Sequence, residues 1–129
     1  MSPVSLTLTL LPGSFSVCRL EPTVSTPDWP AGAFVSVTRT ASELSVICEA
    51  RYVPAGVKAE HGWSCLRVEG PIDVAATGVA AALTAPLASA AVSVLPVATF
   101  DTDYLFVRTA QFPAARDALV AAGHRVIDG

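Results

Sequence analysis

Cysteine is scarce in this sequence, and its spacing suits no metal or disulfide chemistry. The three cysteines, Cys18, Cys48 and Cys65, are odd in number, far apart and without a C-x-x-C pair. That spacing makes neither a disulfide framework nor a zinc site. They are expected as buried, reduced thiols that pack as small apolar side chains, in keeping with a cytoplasmic protein. Histidine is as scarce. His61 and His124 stand beside Gly62 and Gly123 without a spaced partner, so both read as turn or surface residues rather than ligands or bases. No G-x-S-x-G, phosphate-binding glycine loop or H-E-x-x-H occurs, which argues against catalysis. Only 15% of residues are charged, 8 basic against 11 acidic, with a net charge of −3 and no basic run. A phosphate-backbone binder needs the opposite balance. Long apolar runs are missing too: Pro86 and Pro96 break the Ala-rich stretches, so nothing approaches the ~20 residues of a membrane helix. The apolar start, Met1 to Leu11, alternates without a positive flank and reads as a strand rather than a signal peptide. No cofactor, metal, membrane or nucleic acid is therefore expected.

What is present is a hydrophobic chain of 129 residues, 52% apolar, long enough for one ordinary domain or two very small ones. Shifting the sequence by 60 residues places Leu6 and Leu8 on Leu66 and Val68, and Phe34, Val35 and Val37 on Val94, Leu95 and Val97. Glu43 then falls on Asp103, and Leu44, Val46 and Ile47 on Tyr104, Phe106 and Val107. The paired runs agree in strand period and turn position, so two related halves are expected, residues 1–61 and 62–129, joined near His61-Gly62.

In the second half, Trp63 to Glu69 alternates as a strand, ended by Gly70-Pro71. Thr77 to Ala91 has Val79, Leu83 and Leu87 four apart on one face, which predicts a helix. Pro86 should kink or split it, because it lacks an N–H and crowds the carbonyl of Ala82. Strands follow at Ser93 to Thr99 and Tyr104 to Arg108, around a turn at Phe100 to Asp103. Thr109 is placed to cap a second helix that stops at Gly123, with Pro113 in its first turn. His124 to Ile127 closes the half as a strand. The order β-α-β-β-α-β is the ferredoxin-like arrangement, with helices on one face of an antiparallel sheet. The first half carries strands at Val4 to Leu11, Phe15 to Leu20, Ala33 to Thr38 and Glu43 to Cys48. Pro22, Pro27 and Pro30 prevent a long helix between them, and Tyr52 to Gly56 offers at most one helical turn. This half reads as a degenerate copy.

Four tracts carry a family resemblance: Val35-Ser36-Val37-Thr38-Arg39-Thr40 with Glu43-Leu44-Ser45-Val46; Gly62-Trp63-Ser64-Cys65-Leu66-Arg67-Val68-Glu69-Gly70-Pro71; Thr77-Gly78-Val79 leading to Ala85-Pro86-Leu87; and Ser93 with Thr99 to Val107. Over nearly the whole chain the sequence resembles the small bacterial tandem ACT-domain proteins, and it is similar to the ACT domains of the animal cytosolic arginine sensors called CASTOR. The resemblance implies an α+β fold of two tandem ACT-like units, the first degenerate. It also implies a regulatory, non-catalytic protein that holds a small ligand, usually an amino acid, at an interface between ACT units.

Two stretches could build such a site. The helix start Thr77-Gly78-Val79 offers free N–H groups and partial positive charge to a carboxylate, and Gly78 leaves room for close approach. Thr77 also reads as a plain N-cap. The hairpin Thr99-Phe100-Asp101-Thr102-Asp103 offers a carboxylate, Asp101 or Asp103, to an ammonium group, and Phe100 as an apolar wall. Asp and Thr also simply favour turns. In the arginine sensors the matching helix start and hairpin contribute to the pocket, which points to Thr77, Gly78, Val79, Thr99, Phe100 and Asp103, with Asp101 the turn's other candidate carboxylate. Ala76, beside the helix start, stands where those sensors have a Glu, which leaves room for a neutral amino acid. In the repeat Arg39 falls on Thr99 and could pair with Glu43. Trp29 and Trp63 read as packing surfaces. A homodimer is expected, because short units need extra burial. The competing expectations are an interaction module that regulates a partner enzyme or transcription factor without a ligand, and a small enzyme on the same scaffold.

Overall fold

The computed structural model describes residues 5–70 and 78–129. Its elements are β1 (Thr7–Leu10), β2 (Phe15–Leu20), β3 (Ser36–Arg39), β4 (Leu44–Glu49), β5 (Lys58–Val68), α1 (Val79–Ser89), β6 (Val94–Ala98), β7 (Asp103–Arg108), α2 (Phe112–Ala121) and β8 (Arg125–Asp128). Single 3₁₀ turns lie at Ala50–Tyr52 and Thr109–Gln111. The chain makes two compact units, one of Met1–Pro12 with Ser64–Gly129 and the other of Gly13–Trp63. The sequence reading kept residues 1–61 together. In the structure the opening strand goes with the second half, and the expected junction at His61-Gly62 lies inside the continuous strand β5.

The larger unit has the expected order β5-α1-β6-β7-α2-β8, with β1 added. β1 runs antiparallel to β5, Leu8 opposite Val68 and Leu10 opposite Leu66. On its other side β1 runs parallel to β8, Thr7 opposite Arg125 and Leu10 opposite Asp128. The sheet expected to be antiparallel thus also contains one parallel pairing among the described strands. β1 sits between β5 and β8, the first and last strands of the β-α-β-β-α-β unit, antiparallel to the one and parallel to the other. β6 and β7 form an antiparallel hairpin, and β7 also pairs with β5. Leu66, Val68, Leu105 and Val107 point to the face covered by Leu83 and Leu87 of α1 and by Ala115 and Leu119 of α2. The four-residue spacing on each helix and the two-residue spacing on each strand make this one core. Each fully buried leucine in it contributes about 1.5–3 kcal/mol.

Pro86 does not split α1, which runs unbroken from Val79 to Ser89. Its missing N–H leaves the Ala82 carbonyl without the usual helical donor. His124 supplies one: its Nε2–H donates to Ala82 O at 2.8 Å, while Nδ1 accepts the Leu6 N–H at 3.1 Å. The expected turn histidine is instead buried, 5% exposed. It ties α1 to the start of β1 as the neutral Nε2–H tautomer. Thr109 also departs from expectation. Its hydroxyl meets Ser64 Oγ at 2.9 Å, a 3₁₀ turn intervenes, and α2 begins after Gln111 with Pro113 in its first turn. The two helices end alike. Gly123 (φ +94°) sends its N–H to Val120 O and His124 N–H reaches Leu119 O, both at 3.0 Å. Ala91 (φ +58°) does the same at Ala88 O, 3.0 Å, with Val92 N–H on Leu87 O at 2.9 Å. Both are Schellman ends, one of them built on a residue that bears a Cβ.

The smaller unit is an antiparallel sheet in the order β3-β4-β2-β5. Cys18, Val46 and Cys48 form its core, with Trp29, Val53 and Val57 packed on them. As the prolines require, extended chain rather than a helix covers this face. Polar anchors hold that chain. Glu49, 9% exposed, accepts the Ala33 N–H at 2.5 Å and Arg51 Nε–H at 3.1 Å. Gly32 (φ +112°) lies so close that a Cβ there would come within 2.2 Å of Glu49 Oε2. Arg39 donates to Pro22 O and, at 3.4 Å, to Thr26 Oγ1. Arg39 thus clamps the proline-rich segment rather than pairing with Glu43.

Candidate functional site

The hairpin of β6 and β7 closes on the pair Ala98 and Asp103, with Thr99 to Thr102 as its loop. Thr99 donates to Thr102 O twice, from N–H and from Oγ1–H, each at 2.9 Å. Thr102, buried in turn, donates its hydroxyl to Val68 O at 2.6 Å. The loop is thereby pinned to the end of β5. The hairpin of β3 and β4 repeats this turn: it closes on Arg39 and Leu44, and Thr40 N–H meets Glu43 O at 2.9 Å. By their closing pairs the two hairpins correspond at a shift of 59 residues, Arg39 with Ala98 and Leu44 with Asp103. The sequence comparison at 60 set Arg39 on Thr99 and Glu43 on Asp103. The residue that matches Thr99 is Thr40.

Pinning the loop sends its two aspartates to opposite faces of the sheet. Asp103 shares the helix-covered face with Leu105. It lines a cavity of about 210 Å³ together with Ala80, Leu83 and Thr84 of α1 and Pro96, Ala98 and Leu105 of the hairpin. Asp101 joins Arg67, Val68, Glu69, Gly70, Thr102 and Tyr104 around a cavity of about 380 Å³ on the other face. There Glu69 accepts from the Thr9 hydroxyl and, at 3.1 Å, from Arg67. First the Thr9 hydrogen bond and then Arg67 hold its carboxyl below the usual carboxylate range.

The start of α1 is bare of acidic residues. Gly78 opens it in a left-handed conformation (φ +79°), and the first helical bond runs from Ala82 N–H to Gly78 O at 2.9 Å. Among the described residues, the N–H groups of Val79, Ala80 and Ala81 have no helical acceptor. No side-chain cap is seen at Gly78 among the described residues. Ala76 and Thr77 lie outside the described residues. Among the remaining sequence candidates, Asp103 is brought against the first turns of α1. Val79 packs beside the core instead. Thr99 has its hydroxyl engaged in the turn, and Phe100 stands at the hairpin tip, 89% exposed, lining neither cavity. The pinned loop turns Phe100 outward.

Sequence reasoning missed Arg67, Glu69 and Tyr104, whose strand alternation alone could have placed them on one face. It also missed the contact of Ser16 Oγ with His61 Nδ1 at 2.5 Å, made possible where Gly62 (φ +85°) accompanies a register shift between β2 and β5. Ser16 is fully buried, whereas His61 is exposed. Among the described residues no group of three His, Cys, Asp or Glu is placed to hold a metal ion. No helix there is long and apolar enough to cross a membrane.

The family model for the ACT domain matches residues 58–121. A second model, describing an N-terminal domain, matches residues 13–56. The crystal structure of protein Atu0741 from Agobacterium tumefaciens is 35% identical with a TM-score of 0.92, covering 98% of this chain and 95% of that one. VC0802 from Vibrio cholerae, described as a possible transport protein, is 22% identical with a TM-score of 0.75, covering 92% and 91%. The ligand-free regulatory subunit of aspartate kinase from Thermus thermophilus is 12% identical with a TM-score of 0.60, covering 94% and 99%. At these lower identities the likeness is one of fold. Among curated proteins the sequence has no match.

Proposed function

We propose, from the premise that this chain belongs to the family of Atu0741 and carries an ACT domain, that it is a regulatory protein whose ACT unit binds a small neutral amino acid. The observation that carries this reading is Asp103, a carboxylate set at the edge of a largely apolar cavity and facing the first turns of α1. An amino acid seated there would place its ammonium on Asp103 by a charge-assisted hydrogen bond. Its carboxylate would meet the free N–H groups and positive end of α1, and its side chain would lie against Leu83, Pro96 and Leu105. The cavity volume of about 210 Å³ is small for a ligand pocket, which suits a short side chain. With Asp103 engaged by the ammonium, no further carboxylate among the described residues lines the cavity to meet a cationic side chain, which favours a neutral amino acid. The finer parts of the reading follow from the same premise. They are a cytoplasmic homodimer with the ligand near a contact between ACT units, and a first unit, residues 13–63, that is a reduced copy sharing the hairpin turn.

Thermal denaturation in the presence of each common amino acid tests this. A ligand at a hundredfold excess over its Kd should raise Tm by about 10 °C, because binding to the native state alone adds about 2.7 kcal/mol. Asp103→Asn should remove the shift. No response to any amino acid at millimolar concentration, or an undiminished response in the variant, would refute the assignment. The exposed Phe100 favours a second reading, a ligand-free interaction module. That reading predicts loss of a partner protein on Phe100→Ser and no ligand response.

A further inference from the structure

The geometry points to a separate small-molecule site on the smaller unit, built for a zwitterion with one anionic and one cationic pole. On β2 and β5, Arg19 and Lys58 are direct register partners, so their side chains leave the same face side by side. Like charges directly opposite one another on neighbouring strands repel. Here they border a cavity of about 280 Å³ whose floor includes Val17 and Ser45 and whose other charged residues are Glu43 and Glu60. An anionic group seated between Arg19 and Lys58 converts their repulsion into two attractions. The Arg19 guanidinium already reaches Ser42 O at 3.0 Å and Glu21 at 3.4 Å, which fixes its position and leaves further N–H donors for a ligand.

The carboxylates set the ligand class. A plain anion would meet Glu43 and Glu60 as well as the cations, and a plain cation the reverse. A molecule bearing a carboxylate and an ammonium a few bonds apart satisfies both poles, with the Ser45 hydroxyl as a further hydrogen-bonding group. The cavity is small, so the body between the poles must be short. A small α-amino acid is such a molecule. By strand alternation Val17, Arg19, Ser45, Lys58 and Glu60 leave the face opposite the core side chains of the unit, and Cys18 and Ala59 complete the lining of the cavity; the site is independent of the reading for Asp103.

Amide NMR of the full chain tests the proposal, with glycine, L-alanine and L-serine as probes and acetate and ethylammonium as single-pole controls. Expected are shifts at residues 17–19, 43–45 and 58–60 that saturate with the amino acids. They should be at least tenfold weaker in affinity with either control, absent in Lys58→Met and retained in Asp103→Asn. Shifts confined to residues 79–84 and 98–105 would overturn this site while leaving the ACT cavity standing. Acetate binding as tightly as L-alanine would mark a simple anion site and overturn the zwitterion assignment, as would no shift with any probe. Without ligand, Lys58→Met should melt at or above the wild-type temperature, since it removes opposed like charges. A lower Tm would identify Lys58 as a structural ion-pair partner and overturn the proposal.

Discussion

His124→Ala removes one donor and one acceptor from a single joint. In the wild type, Nε2–H satisfies Ala82 O and Nδ1 satisfies the Leu6 N–H, at 2.8 and 3.1 Å. Both bonds are partly shielded from water, so each loss costs about 1 kcal/mol, toward the lower end for an orphaned polar group. The total is about 2 kcal/mol, or a fall in Tm of about 8 °C. The Ala82 carbonyl depends on His124 only because Pro86, four residues on, has no N–H. Pro86→Ala restores that N–H at the ordinary helical position. In the Pro86→Ala background, His124→Ala should therefore cost only about 1 kcal/mol, the share of Leu6. A double-mutant cycle by urea denaturation, read at constant m, should give a coupling of about 1 kcal/mol. If His124→Ala costs the same in both backgrounds to within about 0.3 kcal/mol, the bond to Ala82 does not compensate for the proline and the reasoning fails.

Two further outcomes follow from the helix ends and the thiols. Ala91 occupies the left-handed position that Gly123 fills at the end of α2, so Ala91→Gly should stabilise the protein by about 1 kcal/mol, measured by denaturant midpoint. A destabilised variant would show that the Cβ of Ala91 packs usefully. Burial pushes the Cys65 thiol from its ordinary 9.0 up to about 12, and burial and then nearby Cys48 push Cys18 up to about 11. The folded state thus keeps protons that the unfolded chain releases. Their contribution is fully present below pH 9 and is lost as pH rises toward 11 to 12, with a slope reaching about 1.4 kcal/mol per pH unit for each thiol. Cys65→Val should flatten that alkaline fall in a stability profile from pH 8 to 11. An unchanged profile would refute the assignment to Cys65.

The secondary structure was largely legible, because its signals are local. Alternation gave β2, β4 and β7 within a residue or two, and the four-residue spacing of Val79, Leu83 and Leu87 gave α1. Gly123 marked the end of α2, and three prolines excluded a helix between β2 and β3. The scarcity of reactive motifs and the order β-α-β-β-α-β were likewise written in the chain. Pairing partners were not, since periodicity says which face a residue takes but not which strand lies beside it. Leu8 and Val68, which correspond at a shift of 60, prove to be neighbours across a sheet, a pairing that no periodicity announces. The one-residue difference between shifts of 59 and 60 moved every hairpin assignment to the next position, and in a strand the next position is the opposite face.

The same distinction runs through the candidate site. Sequence alone determined that a helix start and an acidic turn exist, and that carboxylates, backbone N–H groups and apolar side chains were available there. Only the tertiary structure decided that Thr102 locks the turn onto β5, which sends Asp103 toward α1, Asp101 to the far face and Phe100 into solvent. It also decided that His124, 118 residues from Leu6, gives the Ala82 carbonyl of α1 the donor that Pro86 lacks. Those outcomes depend on hydrogen bonds between groups far apart in the chain. Such bonds form only once the hydrophobic faces, which the sequence does specify, have packed and brought the groups within reach.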